Sequence, residues 1–206
     1  MEFLDWGLIE YSEALSQQLA LVDKVIQNPN LGYLIFCSHP PVVTLGRKTQ
    51  EGDVTTWSGP VLEISRGGRA TYHGPSQLVV YPIISIAEGR HGRAPQEIGG
   101  FLRVLEQGII EVLKSYGIES QGRTNEETGV WVGNQKIASL GIAVKNWVTY
   151  HGAAINLEHD QSAFQGMKPC GFNPEVMTDL ESLLVGSSPN RKDFSEKLKN
   201  ILLKTL

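Results

Sequence analysis

Short runs rich in β-branched and aromatic residues, each closed by Gly, Pro or polar residues, come in groups along this chain and do not alternate one for one with helical segments. Residues 33–37, 42–45, 61–65 and 77–85 form one group, and residues 130–132, 136–144 and 148–157 another. Gly133-Asn134-Gln135 between the first two runs of the later group reads as a hairpin turn, and Lys145-Asn146 leads into the third, so three adjacent antiparallel strands are predicted there. A doubly wound parallel sheet needs a helix after nearly every strand. Strands in runs instead predict an α+β fold, with helices packed on mixed or antiparallel sheets.

Four helices are predicted. Leu15, Leu19, Val22 and Ile26 form an apolar stripe over residues 11–28, stopped by Asn28-Pro29. Pro95 is placed in the first turn of a second helix whose inner face is Ile98, Phe101, Leu102, Leu105, Ile109 and Val112, with Gly117 closing it. Asn173-Pro174-Glu175 reads as a cap, a first-turn proline and an acid, opening a third helix that carries Val176, Leu180, Leu183 and Leu184. After a connector at 186–190, Phe194, Leu198, Ile201 and Leu202 mark the last. A length of 206 residues with 41% hydrophobic residues suits one domain spanning 1–206 that buries a sizeable core.

Eighteen Lys and Arg against 22 Asp and Glu leave a net charge of −4, so no overall basic field exists to hold nucleic acid. No apolar run approaches the ~20 residues of a membrane span, and acid stands at the N-terminus where a signal peptide carries positive charge. Two cysteines, Cys37 and Cys170, make no disulfide framework and fit a reducing cytoplasm. The five histidines lack metal-ligand spacing, and neither metal nor cofactor is expected.

Four places bear chemistry. Residues 66–77 combine Gly67, Gly68 and Gly74 with donors from Arg66, Arg69, Tyr72 and His73, either a ligand-cradling loop or a plain glycine-rich hairpin with solvated arginines. Cys170, in Pro169-Cys170-Gly171, is either a small buried hydrophobe or a thiol whose ionised form a nearby helix N-terminus favours. Lys136 opens a strand of small uncharged residues, as a solvated strand end or as a lysine in a partly apolar cleft that acts as a base or steadies a thiolate. His151 precedes Gly152, Ala153 and Ala154, where small side chains leave room for a ligand, although a hydrogen-bonded structural histidine is its plainer reading.

In order, Arg66-Gly67-Gly68, Thr71-Tyr72-His73-Gly74-Pro75, Gln77-Leu78, residues 129–132, Lys136-Ile137-Ala138-Ser139-Leu140-Gly141, Trp147-Val148-Thr149, His151-Gly152 and Pro169-Cys170-Gly171 resemble the lipoyl(octanoyl) transferase family over roughly residues 5 to 185. Ser76 stands where the family pattern prefers Gly, and Lys168 where an apolar residue is usual. The resemblance implies a fold like the catalytic domain of biotin and lipoate protein ligases. It also implies an acyltransferase that moves an octanoyl group from octanoyl-acyl-carrier protein to a lysine of lipoyl domains, through a thioester on the enzyme. The acceptors it implies are the lipoyl domains of 2-oxoacid dehydrogenase complexes and the glycine cleavage H protein. Carried over residue by residue, Cys170 is the nucleophile and acyl carrier, and Lys136 lowers its pKa. Substrate binding falls to Arg66, Gly67, Gly68, Arg69, Ala70, Thr71, Tyr72 and His73, to Ser139, Leu140 and Gly141, and to Gly152, Ala153 and Ala154.

An octanoyl chain buries about seven CH2 or CH3 groups, worth at most ~5 kcal/mol at ~0.8 each, so a closed tunnel lined by Gly141, Gly152, Ala153 and Ala154 could select chain length. Arg47, Lys48, Arg66, Arg69, Arg90 and Arg93 are expected to form a basic rim for acidic carrier proteins. Two other readings compete: an ATP-dependent lipoate or biotin ligase, which needs no cysteine, and a silent module that only binds carrier proteins. Cys170 argues against the first, and Cys170 with Lys136 against the second.

Overall fold

The computed structural model describes residues 1–89, 93–184 and 189–206. In chain order the elements are β1 (Glu2–Leu8), α1 (Tyr11–Gln27), β2 (Gly32–Ser38), β3 (Val42–Leu45), β4 (Val61–Glu63), β5 (Thr71–His73) and β6 (Gln77–Ile84). There follow α2 (Ile98–Ser115), β7 (Gln121–Arg123), β8 (Gly129–Val132), β9 (Gln135–Lys145), β10 (Val148–Asn156), α3 (Leu180–Leu183) and α4 (Arg191–Thr205). Seven strands make one sheet in the order β1-β2-β6-β10-β9-β8-β7, antiparallel except for β1 beside β2. A small sheet, β4-β3-β5, pairs β3 parallel to β4 and antiparallel to β5. These are the mixed sheets with packed helices of the expected α+β class.

The strand β6, QLVVYPII, is buried along its whole length because both faces of the sheet are covered. Leu78, Val80 and Ile84 face a core with Phe101, Leu105 and Ile109 of α2 and Phe194 and Leu198 of α4. Val79, Tyr81 and Ile83 face the opposite core, where Ala14, Val22 and Val25 of α1 pack. The predicted β8-β9-β10 hairpins are present. Val132 pairs with Gln135 across Gly133-Asn134, and Lys145 pairs with Val148 across Asn146-Trp147. Asn146 and Trp147 both have positive φ (49° and 61°), as a type I′ turn requires. Gly117, with φ +76°, ends α2 where the sequence places the stop. Among the described residues no helix is long and apolar enough to cross a membrane.

Three expectations need correction. Pro95 lies in a turn before α2, because Gln96 takes φ 60° and the helix begins only at Ile98. No continuous helix runs through 174–184: Pro174–Val176 is a single 3-10 turn and Met177 is extended (φ −79°, ψ 142°). Met177 bridges alongside Lys136, and the Thr178 N–H donates to the Lys136 carbonyl at 3.0 Å, so strand-like pairing overrides the helical spacing. The helix that remains, α3, has four residues and is capped by the Asp179 carboxylate accepting from the Ser182 N–H at 2.7 Å. Third, β1, β5 and β7 were not expected as strands; β5 forms inside the glycine-rich segment because Thr71, Tyr72 and His73 pair with Thr44, Val43 and Val42. Of the connector expected at 186–190, residues 186–188 lie outside the described residues.

Candidate active site

Lys136 is 1% exposed, not a solvated strand end. The pairing of β8 with β9 shifts between Val130–Ala138 and Trp131–Lys136, leaving Ile137 without a partner, and this bulge redirects the strand where Lys136 leaves it. The Lys136 Nζ then lies 5.6 Å from the centre of the Trp131 ring and 5.8 Å from that of Phe172. Gly129 (φ +149°) makes this approach possible: a Cβ there would lie 2.5 Å from the Lys136 Cε and would strike the Ala138 carbonyl.

Cys170 is held at φ 54°, ψ 21°, a conformation rare for a residue with a side chain, inside the 3-10 turn Pro169–Gly171. Its N–H donates to the Ala70 carbonyl at 2.7 Å, and its Sγ lies 3.7 Å from the Ser139 Oγ. Burial pushes the thiol pKa up. The charges of Lys136 and Arg66, with hydrogen bonds from Ser139 and Lys136, outweigh burial and hold it below its ordinary value. The helix N-terminus expected behind Cys170 is only a three-residue turn, so neighbouring cations and not a helix dipole favour the thiolate.

Arg66 is 6% exposed and does not belong to a surface rim. Its Nη1 donates to the carbonyls of Gly67 (3.0 Å) and Arg69 (2.8 Å), and its Nη2 to the Thr44 carbonyl (2.9 Å) and Oγ1 (2.8 Å). Four acceptors explain why the guanidinium folds inward and shapes the glycine loop around itself. Arg47 and Lys48 are exposed; Arg69 forms an ion pair with the buried Asp53; Arg93 stands 5.6 Å over the Phe101 ring; Arg90 lies outside the described residues.

Two cavities meet at Cys170. The inner one is narrow and is lined by Arg66, Gly68, Thr71, His73, Ser139, Leu140, Gly141, Gly152, Ala153 and Ala154. Tyr11, Val79, Tyr81 and His151, which the sequence does not mark as substrate-binding, complete it with Cys170; His151 alone of these precedes a run of small residues that signals a ligand, and the packing of α1 on the sheet brings in Tyr11. The outer cavity, about 560 Å³, is lined by Lys136 and Cys170 together with Lys48, Gly67, Gly68, Arg69 and Leu102. Ala70 and Tyr72 line neither. Ala70 supplies the carbonyl that takes the Cys170 N–H, and Tyr72 packs in a small core with Val43 and Phe164, its hydroxyl donating to Asp160 at 3.0 Å.

The other cysteine, Cys37, is buried on β2 and burial pushes its thiol pKa up. Cys37→Ser is expected to leave turnover within about twofold and to cost about 1–3 kcal/mol of stability by burying a hydroxyl. Paired activity assays and urea unfolding would check this; loss of turnover in the folded variant would point to the wrong thiol.

Residues 10–203 match the family described as the lipoyl protein ligase A/B catalytic domain. The chain is 54% identical to an octanoyltransferase of Bdellovibrio bacteriovorus, over 99% of this chain and 98% of that protein. In fold it is similar to a lipoate-protein ligase A bound with ATP (TM-score 0.67, 17% identity, 99% of this chain and 83% of that one). It is also similar to the biotin protein ligase of Aquifex aeolicus (TM-score 0.55, 11% identity, 100% and 68%). With a family match over nearly its whole length and a relative identical at more than half of the aligned positions, the chain belongs to the lipoyl protein ligase A/B catalytic domain family, beside its octanoyltransferases.

Proposed function

We propose that residues 1–206 act as one catalytic domain that transfers an octanoyl group in protein lipoylation, with Cys170 as covalent carrier. The observation that carries the reading is the pairing of Cys170 with Lys136 where a narrow inner cavity meets a wide outer one. The Cys170 thiolate attacks the thioester carbonyl of octanoyl-acyl-carrier protein, the carrier's thiol leaves through the outer cavity, and the chain occupies the inner one. One thioester replaces another, so the step is nearly balanced in energy and uses no ATP. A lysine of a lipoyl domain then enters the outer cavity. With a pKa of about 10.4 it is uncharged in about one molecule in 2,500 at pH 7, so a base must take its proton as it attacks. Lys136, beside a now neutral acyl-Cys, takes that role. Amide formation from a thioester is downhill and completes the transfer. The same reading assigns substrate contacts to the loop residues that line the two cavities, Arg66, Gly67, Gly68, Arg69, Thr71 and His73, and makes the acceptors lipoyl domains of 2-oxoacid dehydrogenases and the glycine cleavage H protein. Both thiols being free suits a reducing cytoplasm.

Mixing the protein with octanoyl-acyl-carrier protein and measuring its intact mass tests the reading. An octanoyl adduct on Cys170, formed at the same rate with or without ATP and Mg2+, is expected. A requirement for ATP would assign the chain to adenylate-forming ligation, and binding without any adduct would leave only a carrier-binding module.

A further inference from the structure

The far end of the inner cavity is polar. Ser139, beside Cys170, pairs with Ala154 across β9 and β10, and His151 lies three residues further along β10. Three strand residues cover about 10 Å. An extended eight-carbon chain with bonds of about 1.5 Å spans about 9 Å. A chain anchored on Cys170 that follows β10 therefore brings its last carbon to His151.

His151 holds φ 58° in the middle of a strand, a conformation that persists only where its surroundings enforce it. The departure sets its ring beside that of Tyr150 (centres 4.8 Å apart) and its Nδ1 3.3 Å from the Tyr11 hydroxyl. The ring is 1% exposed, and among the described residues its Nε2 has no partner. His73, also lining this cavity and 6% exposed, sets its Nε2 3.4 Å from the Thr44 Oγ1 and hydrogen-bonds Gln77, so it offers no free ring nitrogen. Burial and then the Arg66 charge lower the His151 pKa to about 3, and burial, His39 and Arg66 lower that of His73, so both rings are neutral at pH 7. Whichever of the two donates in the Tyr11–His151 contact, the His151 Nε2 is left without a partner, as a donor or as an acceptor, and a hydroxyl can satisfy either. A buried unpaired ring nitrogen is costly, and a hydrocarbon terminus cannot relieve it.

We propose that the far end of the inner cavity is a hydrogen-bonding subsite in which the His151 Nε2 pairs with a hydroxyl carried on the eighth carbon of the acyl chain. The substrate class therefore extends to ω-hydroxylated acyl groups, preferred over hydrocarbon chains of equal length. This rests on the inner cavity being the acyl site. The chemistry at Cys170 is unchanged: its sulfur bonds the carbonyl carbon, the bond to the donor sulfur breaks, and the departing sulfur takes up the proton the Cys170 thiol gave up.

Octanoyl-, nonanoyl- and 8-hydroxyoctanoyl-pantetheine test it by single-turnover acylation read from intact protein mass. The last two chains have equal numbers of heavy atoms and differ only in a terminal methyl or hydroxyl. Octanoyl should label Cys170, and 8-hydroxyoctanoyl should do so at least about tenfold faster than nonanoyl. In His151→Leu that ratio should fall to about one or below. Nonanoyl reacting as fast as 8-hydroxyoctanoyl in the unaltered protein would overturn the subsite, a comparison that needs no variant to fold. A preference that His151→Leu leaves unchanged would overturn it too. Failure of octanoyl itself to label Cys170 would instead remove the acyl-site reading, and the subsite with it.

Discussion

Cys170→Ala is expected to lower octanoyl transfer by at least about a thousandfold and to abolish the acyl adduct, because a methyl group replaces the only thiol in contact with both cavities. The fold should survive. The αL conformation at position 170 (φ 54°) costs alanine no more than cysteine, and the backbone bond from residue 170 to the Ala70 carbonyl does not depend on the side chain. Thermal unfolding should therefore match the unaltered protein while the adduct is missing from the mass spectrum. Full transfer by a folded Cys170→Ala variant would sink the covalent mechanism.

Lys136→Met is expected to impair both half-reactions, and pH should separate the losses. The Lys136 charge is the largest influence opposing burial at Cys170, so without it the thiol pKa rises; a thiol at the ordinary value of about 8.5 is about 3% ionised at pH 7. The sign follows from the lowered pKa in the unaltered protein: its thiolate persists to lower pH than that of an ordinary thiol and is lost as pH falls through the lowered value. Acylation by the variant should accordingly fall up to about thirtyfold at pH 7 and recover most of this by pH 9. Deacylation should recover less, since an acceptor lysine of pKa about 10.4 is still only about 4% uncharged at pH 9 and no positioned base remains. Single-turnover measurement of each step from pH 6 to 9 distinguishes the two. A variant that acylates and deacylates normally at neutral pH would make Lys136 a structural residue packed against Trp131 and Phe172.

The amino-acid sequence by itself determined the α+β class, the stripe of α2 with its stop at Gly117, and the β8-β9-β10 hairpins. Each is written in local periodicity and turn chemistry, which neighbours 3 to 4 residues apart suffice to express. The family was legible because its motifs stand in fixed order, and that order decided between the two readings that Cys170 and Lys136 each carry on their own. Tertiary structure decided the rest. Met177 gave up helical spacing to pair with Lys136, since a backbone hydrogen bond to a neighbouring strand outweighs a weak local propensity. Arg66 reads as solvated until the carbonyls of Thr44, Gly67 and Arg69 converge on it. Tyr11, on α1 and far from any motif, reaches the inner cavity only because α1 packs against that face of the sheet, the face on which Tyr81 of β6 lies. The inward course of Lys136 depends on one unpaired residue, Ile137, and on the space left by Gly129. Such placements arise from contacts between residues distant in sequence, and no local pattern encodes them.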